Sequence, residues 1–599
     1  MLPHSVLVAL LAGITVQIAK GKDDHLVSSD YLSSNLHKRH WDDQGNYNIT
    51  FIHVNDVHAH LDQYRASGTD CPTDGSVPCL GGYARIMDKT REIRSQVQDS
   101  LLFNAGDEFQ GTLFYSFYGP QKIAETLNLM NFTLGTLGNH EFDTGNDTLL
   151  GEYLSNLTFP TISTNIKTEN TLLRSQLKPY HLFPKHELAV VALTTVDTPD
   201  ISKPGKGTTF GKVLEVQKTV DQLLKKGGVK RVVALTHIGY DQDIELAKNS
   251  RNIHLIIGGH SHTPLGGESW YSQGPYPTIV RNLDGEEVFI VTSYRWGEHL
   301  GRIDVAFEKD SGKVHAYTGG AIRMTEDFPQ DKSLQKLITS WREPFEEFAK
   351  VIVGQTVRDL DQPTCQVKEC NLGNAVTDSM LYGRRSLGAK VDAALHNSGG
   401  LRATIPAPNI TQGILMTSFP FNTQLVDIKY TGKELWEIFE GVCSGVNSVG
   451  KTVTSSVQVA GIKYSWNPKN APGSKLISLQ IGSPEVEDVD FEKTYTIVTL
   501  DFLATGGDSI LPRPFEKSPP PIASQDEVFI EYIRRFSPLD VDVEGRIVVT
   551  DEETPEHELG QLYWRENTEV DAEEVTLKQS LKSIWESWWR GSIKFAKWE

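Results

Sequence analysis

Cysteine is scarce in this chain, with five residues among 599. Neither close pair, Cys71 with Cys79 or Cys365 with Cys370, has the spacing and matching second pair of a zinc ribbon, which excludes that class of metal site. Basic charge is also short: 58 Lys and Arg stand against 77 Asp and Glu, for a formal net charge of -19. That balance speaks against binding to a nucleic-acid polymer, which draws on clustered cations. It leaves room for a phosphate-bearing small molecule, because bound cations invert a local field. After the first twenty residues no stretch is long and apolar enough to span a membrane, and the C-terminus lacks the apolar tail of a GPI signal. There is no internal repeat.

What is present begins with an apolar segment from Val6 to Ile18, of signal-peptide length and too short for a comfortable span. It predicts a signal peptide over 1–20 and a secreted or secretory-lumen protein, extracellular, at the cell surface or vacuolar. The alternative is an ordinary apolar helix. In an oxidising compartment each close cysteine pair can close a small loop, leaving Cys443 free. N-x-S/T sequons begin at Asn48, Asn131, Asn146, Asn156 and Asn409, as expected of a glycoprotein.

The length predicts two or more domains. From 47 to 325, apolar β-like runs alternate with helical patterns, which is α/β organisation. A polar stretch with apolar residues at helical spacing, 326–353, reads as a connecting helix and hinge. A second α/β unit covers 354–550. The tail, 551–599, is acidic and then basic and amphipathic. Leu577, Leu581, Ile584, Trp585, Trp588 and Phe595 fall near one helical face, as in a peripheral membrane-contact helix. The alternatives are packing on the parent chain or in a homodimer.

The chemistry is carried by what ends each β-like run of the first unit. "NITFIHVND" ends in Asp56, with His58 two residues on. "SLLFNAGD" ends in Asp107 and "FTLGTLGN" in Asn139, followed by His140. "KRVVALTH" ends in His237, and "IHLIIGGH" in His260 with His262 after it. In α/β sheets ligand-binding groups collect at the carboxyl ends of strands. Carboxylate, imidazole and amide oxygen suit Zn, Mn, Fe or Mg. A shared carboxylate can bridge two cations about 3.5–4 Å apart, which bind a phosphoryl oxygen and acidify a bridging water. His140 is free to face the phosphate instead, with Asp143 holding its other ring nitrogen. The bland reading of "GNHEFD" is a helix start, capped at Asn139 with Glu141 and Asp143 favoured by the dipole.

The order D-x-H, GD, GNHE, H and GHSH resembles the calcineurin-like metallophosphoesterases. With the second unit added, the chain from about Ile49 to Thr550 resembles the 5′-nucleotidase, UDP-sugar hydrolase and apyrase family. That resemblance implies an N-terminal metallophosphatase domain of two sheets flanked by helices and a C-terminal α/β substrate-binding domain. It implies two divalent ions, Zn first, with Mn, Fe, Co or Mg as alternatives. Asp56, His58, Asp107 and His262 would hold one ion; Asp107, Asn139, His237 and His260 the other. His262 departs from the family's usual Gln or Asn. The catalytic pair carries over as His140 and Asp143.

In the second unit "HNSGGLR" supplies Asn397, Gly399, Gly400 and Arg402. "FPFNTQ" supplies Phe421, and "DFLATGGDS" supplies Phe502 and Asp508. Glycine admits close backbone approach, and arginine offers a fork to phosphate. Taken alone, the phenylalanines read as core. The resemblance makes Phe421 and Phe502 a clamp on the base and Asp508 a ribose ligand, with Asn397 and Arg402 placing the nucleotide. It also places an additional phosphate-binding arginine where this chain has Gln366, with Lys368 two residues on. The expected reaction is hydrolysis of a nucleoside 5′-monophosphate. Nucleoside di- and triphosphates or UDP-sugars form the first alternative, and a non-catalytic nucleotide-binding surface protein the second.

Overall fold

A computed structural model describes residues 45–550, apart from 73–74, 267–271, 483–484 and 516. The expected signal peptide and the amphipathic tail helix, with its membrane and dimer readings, lie outside the described residues. No helix among the described residues is long and apolar enough to cross a membrane.

The first unit is built on two sheets. The first sheet contains β1 (Tyr47–Val54), β2 (Ser100–Asn104) and β3 (Leu134–Gly135). The second contains β4 (Tyr180–Phe183), β5 (Leu188–Thr194), β6 (Arg231–His237), β7 (Leu255–Ile257), β8 (Thr278–Arg281) and β9 (Glu287–Val291). The chain then returns to the first sheet through β10 (His299–Phe307) and β11 (Val314–Arg323). Strand orders are β11-β10-β1-β2-β3 and β8-β9-β7-β6-β5-β4. β1, β2 and β3 run parallel, as do β5, β6, β7 and β9.

β1 is buried along its whole length, and β5 and β6 likewise. Strands covered on both faces read as continuous apolar runs, which is why these were the clearest strand signals. Phe51, Phe103, Val190, Val233 and Ile303 share a core between the two sheets. Ala189, Val191, Ala234 and Ile256 face the opposite side of the second sheet, with Val220 and Leu246 from its covering helices. The layers are therefore helix, sheet, sheet, helix.

The connecting helix, Lys332–Ala349, is capped by Asp331, whose side chain accepts from Leu334 N. Leu334, Ile338, Trp341, Phe345 and Ala349 form its buried stripe and belong to the first unit's core. The second unit has its own core and a four-stranded sheet ordered Leu425–Thr431, Thr494–Leu500, Ala393–Asn397, Val457–Ala460. Residues 350–352 therefore link one core to the next. Disulfides join Cys71 to Cys79 and Cys365 to Cys370, and Cys443 is free and buried.

Candidate active site

Parallel pairing puts the carboxyl ends of β1, β2 and β3 at one edge of the first sheet, and those of β6 and β7 at the facing edge of the second. The seven expected metal ligands leave from these ends. Two glycines let the loops meet. A Cβ on Gly106 would stand 2.4 Å from Gly138 N, and one on Gly138 would stand 2.1 Å from Asp107 Oδ1. No larger residue fits at either point. Asp56, His58, Asp107, His260 and His262 all have positive φ, between 49° and 86°. Such backbone is costly for residues with a Cβ and persists where the surroundings impose it.

The side chains converge. Donor atoms of Asp56, His58 and His262 lie within 4.8 Å of one another, and so do those of Asp107, His237 and His260. His237 Nε2 is 3.1 Å from Asp107 Oδ2, and His262 Nε2 is 3.3 Å from Asp56 Oδ1. His58 Nε2 is 3.1 Å from His262 Nε2 and 3.9 Å from Asp107 Oδ2. Asp107 thus adjoins both groups. The other ring nitrogens are anchored: His237 Nδ1 to Ala105 O at 2.7 Å, and His58 Nδ1 to Phe109 O at 3.1 Å. Anchoring of this kind fixes the tautomer that leaves Nε2 as a ligand.

These residues fit a pair of divalent cations. Asp56 Oδ1, Asn139 Oδ1 and His237 Nε2 are buried and make no hydrogen bond. A buried polar atom without a partner is expensive, and a cation would satisfy all three. The field makes the same demand. Burial opposes a charged His237, yet Asp107 and Asp56 outweigh it and raise its pKa to about 10. The carboxylates draw positive charge inward.

His140 Nδ1 is 2.6 Å from Asp143 Oδ2. Burial disfavours the imidazolium, but Asp143 and Asp107 overcome it and raise the pKa. The helix-start reading of "GNHEFD" gives way to a short 3-10 turn, His140–Phe142, to which the Asn139 side chain gives no capping bond. The Asn139 amide instead donates to Ser202 Oγ at 3.5 Å.

Sequence reasoning gave Glu141 only a dipole role. Its buried carboxylate accepts from Gly138 N (2.6 Å), Glu108 N (2.7 Å), Asp107 N (3.1 Å) and Phe109 N (3.2 Å). It clamps the Asp107 and Asn139 loops together; its place in the motif was the only available signal. Glu141→Gln turns one acceptor oxygen into a donor facing N–H groups. Metal affinity is expected to fall about 10- to 100-fold, as for other outer-shell changes, with kcat recovering at saturating metal. A metal titration of activity checks this.

The second unit reaches this cluster. Arg402 is half-buried, and its Nη2 lies 3.3 Å from His58 Nε2. Its guanidinium stands 5.6 Å from the Phe421 ring centroid, and Phe421 stacks on His140 at 5.6 Å. Asn397 Nδ2 donates to Asp508 Oδ2 at 2.7 Å, Thr454 Oγ1 donates to Asp508 Oδ1 at 3.1 Å, and Gly399 N donates to Ser455 Oγ. Gly400 packs against His396 and Asn397. Phe502 lines a cavity of about 320 Å³ between the units, with Gly507 and Ser509 on its own side and Asp200, Ser202 and Lys203 opposite. Gln366 turns away from phosphate duty: its Nε2 donates to Ser398 O at 2.8 Å, bracing the glycine loop. Lys368 is exposed.

Residues 49–264 match the calcineurin-like phosphoesterase family, and residues 348–513 match the 5′-nucleotidase C-terminal domain. A human 5′-nucleotidase is 30% identical over 534 residues, spanning 85% of this chain and 92% of its own length. This chain belongs to the 5′-nucleotidase family. The snake venom 5′-nucleotidase of Naja atra is also 30% identical, over 84% of this chain and 99% of its own. A 5′-nucleotidase precursor from Thermus thermophilus superposes with a TM-score of 0.77 at 32% identity, over 84% of this chain and 100% of its own. The chain is accordingly a hydrolase of the metallophosphoesterase type, and its family implies divalent metal ions.

Proposed function

We propose that this chain hydrolyses nucleoside 5′-monophosphates to nucleoside and phosphate. The observation that carries the reading is the approach of Arg402 and Phe421, from the nucleotidase C-terminal domain, to His58 and His140 of the metal cluster. A phosphate held by Arg402 would lie against that cluster. Asp56, His58, Asp107 and His262 would hold one divalent ion, and Asp107, Asn139, His237 and His260 the other, with Zn first and Mn, Fe, Co or Mg as alternatives. The pair would supply Lewis acidity toward phosphoryl oxygen and lower the pKa of water.

The chain's own groups do the rest. His140, kept protonated by Asp143, faces the reacting phosphate, stabilises its charge and offers a proton to the departing 5′ oxygen. Arg402 forks onto the phosphate. Asp508, held by Asn397 and Thr454, accepts from the ribose hydroxyls, Gly399 and Gly400 admit the nucleotide closely, and Phe421 and Phe502 take the base. The reading also places the protein in the secretory lumen or outside the cell, in line with its disulfides.

A second reading keeps the chemistry and changes the substrate to a nucleoside di- or triphosphate or a UDP-sugar. It is favoured by Gln366, which leaves Arg402 as the phosphate fork of the second unit. The test is phosphate release by chelated and then metal-reconstituted protein on AMP, ADP, ATP and UDP-glucose. Metal-dependent release from AMP is expected. Release confined to the other three would move the substrate assignment.

A further inference from the structure

Arg295 has no part in the site as described so far, yet it is held beside it. Its neighbours Tyr294 and Trp296 both have positive φ, 68° and 58°. Each is tied to the Asp56 loop: Asn55 Nδ2 donates to Tyr294 O at 2.7 Å, and Trp296 N donates to Asp56 O at 2.7 Å. The Arg295 guanidinium carbon stands 3.8 Å from the Trp296 ring centroid, and Trp296 stacks on His60 at 4.9 Å. Planar stacking of this kind orients a guanidinium without using its N–H groups.

Those N–H groups are idle. Arg295 Nε is buried with no hydrogen-bond partner. Among the described residues the guanidinium makes no hydrogen bond and no salt bridge. Two other half-buried arginines of this fold are paired: Arg342 lies 2.5 Å from Asp70 Oδ2, and Arg546 lies 2.8 Å from Asp378 Oδ1. The charge of Arg295 also bears on the centre. Its positive charge is felt at both His262 and Arg402. Two like charges, one from each domain, therefore act on one another beside His262. An unpaired cation held rigidly beside a like charge is costly unless an anion with several oxygens joins them.

We propose that Arg295 binds a phosphoryl oxygen of the substrate, sharing the phosphate dianion with Arg402. This rests on the nucleotidase reading of the same site. It divides phosphate recognition between the domains: Arg402 arrives with the second unit, while Arg295 belongs to the metal-bearing one.

The test compares metal-loaded wild type, Arg295→Met and Arg295→Lys. Methionine keeps length and a stacking surface on Trp296 but removes the charge. KM for AMP, the inhibition constant of inorganic phosphate and its calorimetric dissociation constant are expected to rise about 10- to 100-fold in Arg295→Met, the range for a hydrogen bond to a charged group. The change in kcat should be smaller, metal content and melting temperature should hold, and Arg295→Lys should recover part of the phosphate affinity. Unchanged phosphate affinity in Arg295→Met would overturn the proposal. So would a loss that follows a lowered melting temperature with no rescue by lysine, which would mark a packing role. A wild type that binds phosphate but is silent on AMP would overturn the nucleotidase reading instead.

Discussion

Asp107→Asn is expected to abolish phosphate release and to leave the purified protein with fewer than two metal ions per chain. Asp107 is buried, and its Oδ2 lies 3.1 Å from His237 Nε2 and 3.9 Å from His58 Nε2, one nitrogen from each candidate ion group. Its other oxygen accepts from His140 N at 2.8 Å. An amide keeps the shape and one acceptor oxygen but loses the negative charge that both cations would share. A fall on the order of 10³-fold or more follows from losing that electrostatic stabilisation. Elemental analysis alongside a phosphate assay checks both halves. Full activity with two ions bound would remove Asp107 from its bridging role.

Asp143→Asn is expected to lower kcat by about 10²-fold, within the usual yield of general acid–base catalysis, and to shift the alkaline limb of the pH–rate profile to lower pH. Burial disfavours the His140 imidazolium, and the Asp143 carboxylate is the foremost influence holding its pKa up. With an amide there, burial gains and the pKa falls. Protonated His140 is present below its pKa and lost as pH rises through it, so the variant loses activity earlier on the alkaline side. His140→Asn should remove that limb altogether while sparing metal content. The measurement is kcat against pH for the three proteins with metal saturating. Coincident profiles would count against a protonated His140.

The convergence of the candidate ligands was legible because each follows a buried parallel strand, and such strands announce themselves as uninterrupted apolar runs. Asp56, Asp107, His237 and His260 needed only that rule. The GNHE run was legible as chemistry, but the task of Glu141 was not. It collects N–H groups from residues 107–109 as well as from Gly138, and nothing in local periodicity reports a distant loop. The same limit hid Arg402 against His58, a contact spanning 344 positions, and Ser202 beneath Asn139. Gln366 was legible as a departure. Its direction toward Ser398 O depends on how the Cys365–Cys370 loop folds, which spacing alone does not fix. Arg295 sits in a loop with no motif, and only the stacking on Trp296 and the missing partners set it apart.

The positive φ values at Asp56, His58, Asp107, His260 and His262 have a consequence for how such a chain changes over time. Glycine at any of the five would relax the backbone by about 1 kcal/mol or more while deleting a candidate ligand. Selection for a sturdier fold and selection for turnover therefore oppose each other at the same five positions. A descendant released from hydrolysis would no longer be held to Asp or His there, and the backbone term alone would favour glycine. Glycine at these strand ends would be the mark of a retired copy.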